Sequence, residues 1–194
     1  MSHGTFSGEP RTQWLTDNQG PDRKMRLLAD FSFTDPHGKT WLTPKNYDVD
    51  GASIPRALWT LVGSPYTGDY RRASIVHDKA CDDALHDVQA RREADRMFYH
   101  ACRAGGCSIQ EATWLYIGVR IGAISPLVQA WSMSTIGPQG PRPDRTPGDQ
   151  RIEADFRLIA HQVLKGRETD DPVEIEARTD RALSETTGIN LMGQ

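Results

Sequence analysis

Three observations along the 194-residue chain predict an α+β fold. A period of two runs from Met25 to Phe33 and places Leu27, Ala29, Phe31 and Phe33 on one face, the mark of a half-buried strand. A turn at Asp35-Pro-His-Gly38 and a return strand over Thr40 to Thr43 close it into an antiparallel hairpin. From about Tyr70 the period becomes helical, in two stretches parted by a short polar break. The expected architecture is a small antiparallel sheet, a helical core containing an antiparallel helix hairpin, and a C-terminal helical appendage.

Residues 1–24 are polar and rich in Gly, Pro, Asp and Asn, and are expected to form an irregular lead-in to a core of residues 25–133. Tyr47 to Asp50 suggests a third short strand. Pro55 fits the first turn of a helix carrying Ala57, Leu58, Leu61 and Val62, which Gly63 ends. The first long helix is predicted from Tyr70 to Leu85, with Ala73, Val76, Ala80 and Ala84 as its apolar stripe. The second runs from Val88 to Ala104 with Ala94, Phe98, Ala101 and Cys102 inward, and stops at Gly105-Gly106. Ser108 and Glu111 form a capping box that opens a third helix through Trp114 to Ile124. Residues 134–149 read as a Pro/Gly linker, and residues 150–194 as an appendage with helices over 150–165 and 172–186.

The formal net charge of −3 gives no general attraction to nucleic acid, and no nucleic-acid partner is expected. The most apolar run, Trp114 to Met133, contains Arg120 near its middle. An arginine at a bilayer centre costs about 2.5–3.5 kcal/mol on insertion scales, so a buried core helix is expected there and no transmembrane span. Met1 to Pro10 lacks the basic start and apolar run of a secretory signal, so a place in the cytoplasm of the producing cell is expected. Three cysteines without a CxxC give neither a disulfide framework nor a zinc ribbon. Cys81 and Cys102 are expected as a reduced pair facing one another across the hairpin.

The chemistry-bearing residues are His77, Asp78 and Asp95. His77 borders the stripe of the first long helix, and Asp95 borders that of the second. A carboxylate near a core needs a partner, and an imidazole on the facing helix supplies one. Such a pair fixes the tautomer and frees the other ring nitrogen as a general base. Asp78, about 100° round the helix from His77, is free to point to a metal or a solvent loop. A structural ion pair locking two helices accounts for the same residues, with Arg71, Arg72, Arg91 and Arg92 as further partners. Asp50 and Ser53 fit a turn and an N-cap. Together with Arg56 they also fit the rim of a pocket for a phosphate or carboxylate. His86 and His100 are candidates to join His77 at zinc, although none has HExxH spacing. Asp82, Asp83 and Asp87 form an acidic cluster expected to be solvated.

The His77-Asp78 pair and Asp95-Arg-Met-Phe98 resemble the helix hairpin of bacterial and fungal phospholipases A2. That resemblance implies His77 as the base activating water, Asp95 as its orienting partner and Asp78 as a calcium ligand, with zinc as the alternative ion and no organic cofactor. The remaining calcium ligands would come from Gly63 to Gly68. The chain departs from that family in lacking its cysteine framework and its calcium loop. Over a longer stretch, Asp50-Gly-Ala-Ser-Ile-Pro-Arg56, Trp59, Ala73-Ser-Ile-Val-His-Asp78, Ala94-Asp95 and Phe98 are similar to an uncharacterised family common in tailed phages and prophages. This resemblance implies a phage or prophage source and a place in the producing cell or on the virion. Two functions follow as expectations. One is a hydrolase, metal-assisted and phospholipase-like, acting on a membrane phospholipid or another envelope component. The other is a non-enzymatic accessory or virion protein whose hairpin is structural and whose C-terminal helices bind a protein partner.

Overall fold

A computed structural model describes residues 2–15, 24–51, 54, 58–62, 68–85, 87–124 and 147–189. Six strands come first: β1 (Thr5–Phe6), β2 (Thr12–Trp14), β3 (Met25–Leu27), β4 (Phe31–Thr34), β5 (Thr40–Thr43) and β6 (Asp48–Val49). The helices follow: α1 (Trp59–Val62), α2 (Arg71–Asp83), α3 (Val88–Gly105), α4 (Ile109–Ile124), α5 (Pro147–Leu164) and α6 (Pro172–Thr187). The expected α+β class is the observed one.

The strands form two three-stranded antiparallel sheets, ordered β1-β4-β5 and β2-β3-β6. The strand expected from Met25 to Phe33 is therefore split between them. Its period of two survives, with Met25, Leu27, Phe31 and Phe33 buried, but the chain bends at Leu28-Ala29 and changes sheet. Asp30 secures the bend by accepting the Lys45 N–H at 2.7 Å. Periodicity reports the buried face and is blind to a bend that preserves it. The lead-in is less irregular than its composition suggests. β1 pairs with β4 and β2 with β3, and strands of two or three residues are too short to show a period.

Between β4 and β5, Asp35 builds the predicted turn by accepting N–H bonds from His37 at 2.9 Å and Lys39 at 3.1 Å, and Gly38 takes φ +84°. α2 and α3 form the expected antiparallel hairpin. Asp87 caps α3 by accepting from Ala90 N at 2.9 Å, and Gly106 ends it in the left-handed conformation at φ +116°. Close packing requires Gly105, because a Cβ there would lie 2.3 Å from the Asp69 carbonyl oxygen. The capping box holds: Glu111 accepts from Ser108 N at 2.8 Å and Ser108 Oγ from Glu111 N at 3.2 Å.

α4 is buried on nearly every side, with Ala112, Leu115, Tyr116, Ile117, Val119 and Ile121 in the core. Among the described residues no helix is long and apolar enough to cross a membrane. Of the linker expected over 134–149, residues 134–146 lie outside the described residues, and Pro147 to Asp149 already form the first turn of α5. α5 and α6 turn Phe156, Ile159, Val163, Ile175 and Leu183 into the same hydrophobic cluster as the strands and α2–α4. Each such side chain contributes about 1.5–3 kcal/mol on full burial, so these helices share in holding the core together. All three cysteines are free and buried. The thiol of Cys102 bonds with Cys107, and Cys81 sits against His77.

Candidate functional site

The hairpin brings His77 and Asp95 together. His77 Nε2 lies 2.8 Å from Asp95 Oδ1, and both side chains are 0% exposed. Phe98, one turn beyond Asp95 on α3, packs on the imidazole with ring centroids 4.5 Å apart. Cys81, one turn beyond His77 on α2, places its sulfur 3.6 Å from Nδ1 and 3.4 Å from Nε2.

Asp95 has two further partners. Arg91 Nε donates to Oδ1 at 3.3 Å, and Arg120 Nη1 on α4 donates to Oδ2 at 3.2 Å. Arg120 then extends Nη2 to Asp180 Oδ1 on α6 at 3.0 Å. Asp180 also takes Arg92 Nη1, which bonds Glu176 Oε1 at 2.9 Å, and Arg96 pairs with the other oxygen of Glu176 at 3.0 Å. A continuous network of charges thus runs from α2 through α3 and α4 to α6. It sits where a lone charge would cost several kcal/mol.

The ionisation of the pair follows from this setting. Burial pushes the His77 pKa down and outweighs the upward pull of Asp95, so the ring is neutral at pH 7. Burial pushes Asp95 upward, but the His77 hydrogen bond and the charges of Arg91 and Arg120 together bring it below its ordinary value. The anionic carboxylate can only accept, so Nε2 carries the proton and Nδ1 the lone pair. His77, Cys81 and Asp95 offer donor atoms within 4.8 Å of one another, a set that suits zinc by type. Two guanidinium groups already hold both oxygens of Asp95, however, and supply the positive charge an ion would bring. As arranged, the group fits a neutral imidazole on a carboxylate better than a metal.

Asp78 points away from this pair. Its Oδ2 accepts the Asp50 N–H at 2.8 Å, and it also takes a hydrogen bond from the Gly51 backbone. Gly51 adopts φ +99°, so Asp78 pins a left-handed turn at the end of β6. Burial first, then the neighbouring Asp50 charge, raises the Asp78 pKa to about 8 against the opposing backbone bonds. Ser53 and Arg56, expected with Asp50 at an anion pocket, lie outside the described residues, as do His86 and all but Gly68 of the expected calcium loop. The acidic cluster resolves into separate roles: Asp82 binds Tyr47, Asp83 binds Lys79, and Asp87 is the α3 cap. His100 faces His3 rather than His77.

Sequence reasoning did not assign Arg120, Asp180 or Cys81 to this site. Arg120 carried a signal, since an arginine inside an apolar helix must find a carboxylate once buried. Asp180, on an amphipathic helix 60 residues further on, carried none.

The chain is similar to two proteins from Sinorhizobium fredii (strain NBRC 101917 / NGR234). It is 34% identical over 135 residues to "Uncharacterized protein y4jT", covering 70% of this chain and 34% of that protein. It is 38% identical over 105 residues to "Uncharacterized protein y4iH", covering 54% of this chain and 43% of that protein. The chain therefore spans well under half the length of these relatives. No solved structure matches it. The segment that carries four of the strands, the helix hairpin and the His77–Asp95 pair, residues 25–119, matches the family described as Protein of unknown function (DUF1353).

Proposed function

We propose that this chain is a non-enzymatic accessory protein of phage or prophage type, in which the His77–Asp95 pair locks the helical core. One observation carries the proposal: both members of the pair are wholly buried and bound into the ion network that ends on α6. A general base must come within hydrogen-bond reach of its substrate. Two cavities among the described residues can be compared with the pair. One lies between α4, α5 and α6 beside Thr113, Val163 and Arg178, and the other lies beneath β2 and β3 beside Trp14, Leu28 and Arg71. Neither is lined by His77 or Asp95. A protein partner would meet the outer faces of α5 and α6, where Leu158 and Val173 stand exposed.

A hydrolase acting on a phospholipid or envelope ester has one observation in its favour. The Nε2–Asp95 bond leaves the His77 Nδ1 lone pair uncommitted to a carboxylate, the tautomer a base requires. His77→Asn separates the two functions. As a structural lock, the variant melts lower, and neither it nor the wild type hydrolyses phospholipid vesicles or peptidoglycan. Wild-type turnover abolished by a His77→Asn variant of unchanged melting temperature would overturn the accessory role.

A further inference from the structure

The cavity beneath β2 and β3 measures about 490 Å³, within the range of about 300–1,000 Å³ usual for small-molecule sites. Strand alternation explains why it stands open. Trp14 pairs with Met25 and Thr12 with Leu27, so these four side chains share one face of the sheet. Met25 and Leu27 are buried on that face, yet Trp14 is 56% exposed. An indole that faces inward with this exposure stands over open space, and that space is the cavity it lines. Met25 and Ile75 of α2 form its buried apolar floor, and Leu28, at the bend between the sheets, is an exposed part of its wall.

Charge gives the cavity its second property. Arg11 and Arg71 both line it, and no acid lines it among the described residues. Both arginines are exposed. Neither has a carboxylate partner among the described residues, whereas the adjacent Arg72 pairs with Glu9 at 3.2 Å. Arg71 is also the first residue of α2, a helix with no side-chain cap and no acid in its first turn. The N-terminal end of a helix carries partial positive charge and favours anions, so an unpaired arginine there is set against the dipole. An anion bound at the cavity relieves that conflict.

We propose that this cavity binds a small amphipathic anion: a carboxylate or phosphate head held by Arg11 and Arg71, with an apolar chain or ring seated on Met25, Ile75 and Leu28 beside Trp14. The proposal goes beyond the accessory role and does not depend on what His77 does. A guanidinium presents its donors in a planar fork that matches the oxygens of a carboxylate or a phosphate. The apolar body covers Trp14 and Leu28, side chains that the fold itself leaves in water. Because the arginines stand at an exposed rim, salt and water weaken the head contact, and the apolar body must supply the rest of the affinity. The cavity between α4, α5 and α6 lacks this combination. Glu168 lines it, and its Arg178 already donates to Glu174 and to the carbonyls of Val163 and Arg167.

The test is calorimetric titration of the full chain with octanoate and with octyl phosphate, set against octanol and inorganic phosphate, which each carry half of the ligand. The expected result is one saturable site for at least one of the two amphipathic anions, with octanol and inorganic phosphate at least about tenfold weaker. Affinity should fall at least about tenfold in Arg71→Gln and in Trp14→Ala, exposed positions where circular dichroism should be unchanged. It should hold in Arg167→Gln, which alters only the other cavity. Absence of saturable binding by both anions, octanol bound as tightly as octanoate, or undiminished binding in a folded Arg71→Gln overturns the proposal. So does a loss in Arg167→Gln equal to that in Arg71→Gln, which would put the anion between α4, α5 and α6. Binding to phosphatidylglycerol vesicles with none to either soluble anion overturns it as well, and would make this face a membrane-contacting surface.

Discussion

A histidine–carboxylate contact lies against α3 on each of two sides, and the two differ in everything but chemistry. His77 meets Asp95 at 2.8 Å with neither side chain exposed, and His3 meets Asp170 at 2.9 Å with both partly in solvent. In the first, the carboxylate belongs to a network closed by Arg91, Arg120 and, through Arg120, Asp180. In the second, the carboxylate anchors a ring whose other nitrogen faces a second imidazole. A buried pair of charged or polar groups is locked because any loss strands a partner without water. An open pair can exchange a proton or a partner with solvent at little structural cost. Separation alone therefore does not identify a functional pair; what surrounds its outer atoms does.

Asp95→Ala gives the largest expected contrast. It removes the common partner of His77, Arg91 and Arg120 and leaves the buried Arg120 facing only Asp180. Stranding a buried charge costs about 3–5 kcal/mol, to be read from chemical denaturation at pH 7. A loss under about 1 kcal/mol would mean that water reaches the pair, and the contrast with the open site would disappear.

Acid should act through the same pair. His77 is held below its ordinary pKa of 6.5, so below that pH the unfolded chain binds a proton that the folded chain refuses. Stability contributed by the neutral ring is thus complete above about pH 6.5 and is lost as pH falls toward the depressed folded value. Asp95, Arg91 and Cys81 are the ionisable groups in contact with the His77 environment, from α3 and α2. Melting temperature should fall between pH 6.5 and 5 in the wild type, and the slope should be shallower in His77→Asn. Equal slopes in the two proteins would show that His77 takes up a proton freely in the folded state.

The helix hairpin was legible in the sequence because each element of it has a local signature: apolar stripes, a polar break, Gly105-Gly106, and a capping box at Ser108. The His77–Asp95 contact was legible as well, because two polar residues on facing stripes have few other places to go. The split strand was not, since a bend that keeps the buried face leaves no trace in the period. Nor was the direction of Asp78. Its partners are backbone N–H groups at Asp50 and Gly51, and main-chain donors carry no residue-type signal. The His3–His100 contact depends on a strand of two residues and a glycine turn, both below what pattern can resolve. The two C-terminal helices were placed correctly as helices. Their part in the ion network rests on single residues, Glu176 and Asp180, that look like ordinary surface acids along an amphipathic helix.

His3→Asn should have the smallest effect on stability and tells most about the open site. The side chain gives up one hydrogen bond to an Asp170 that keeps Tyr99 and Arg103, so no buried group is left stranded. Partly exposed ion pairs contribute about 0–1 kcal/mol, and the variant should unfold within that margin of the wild type in chemical denaturation at pH 7. A larger loss would make His3 a second structural lock like His77.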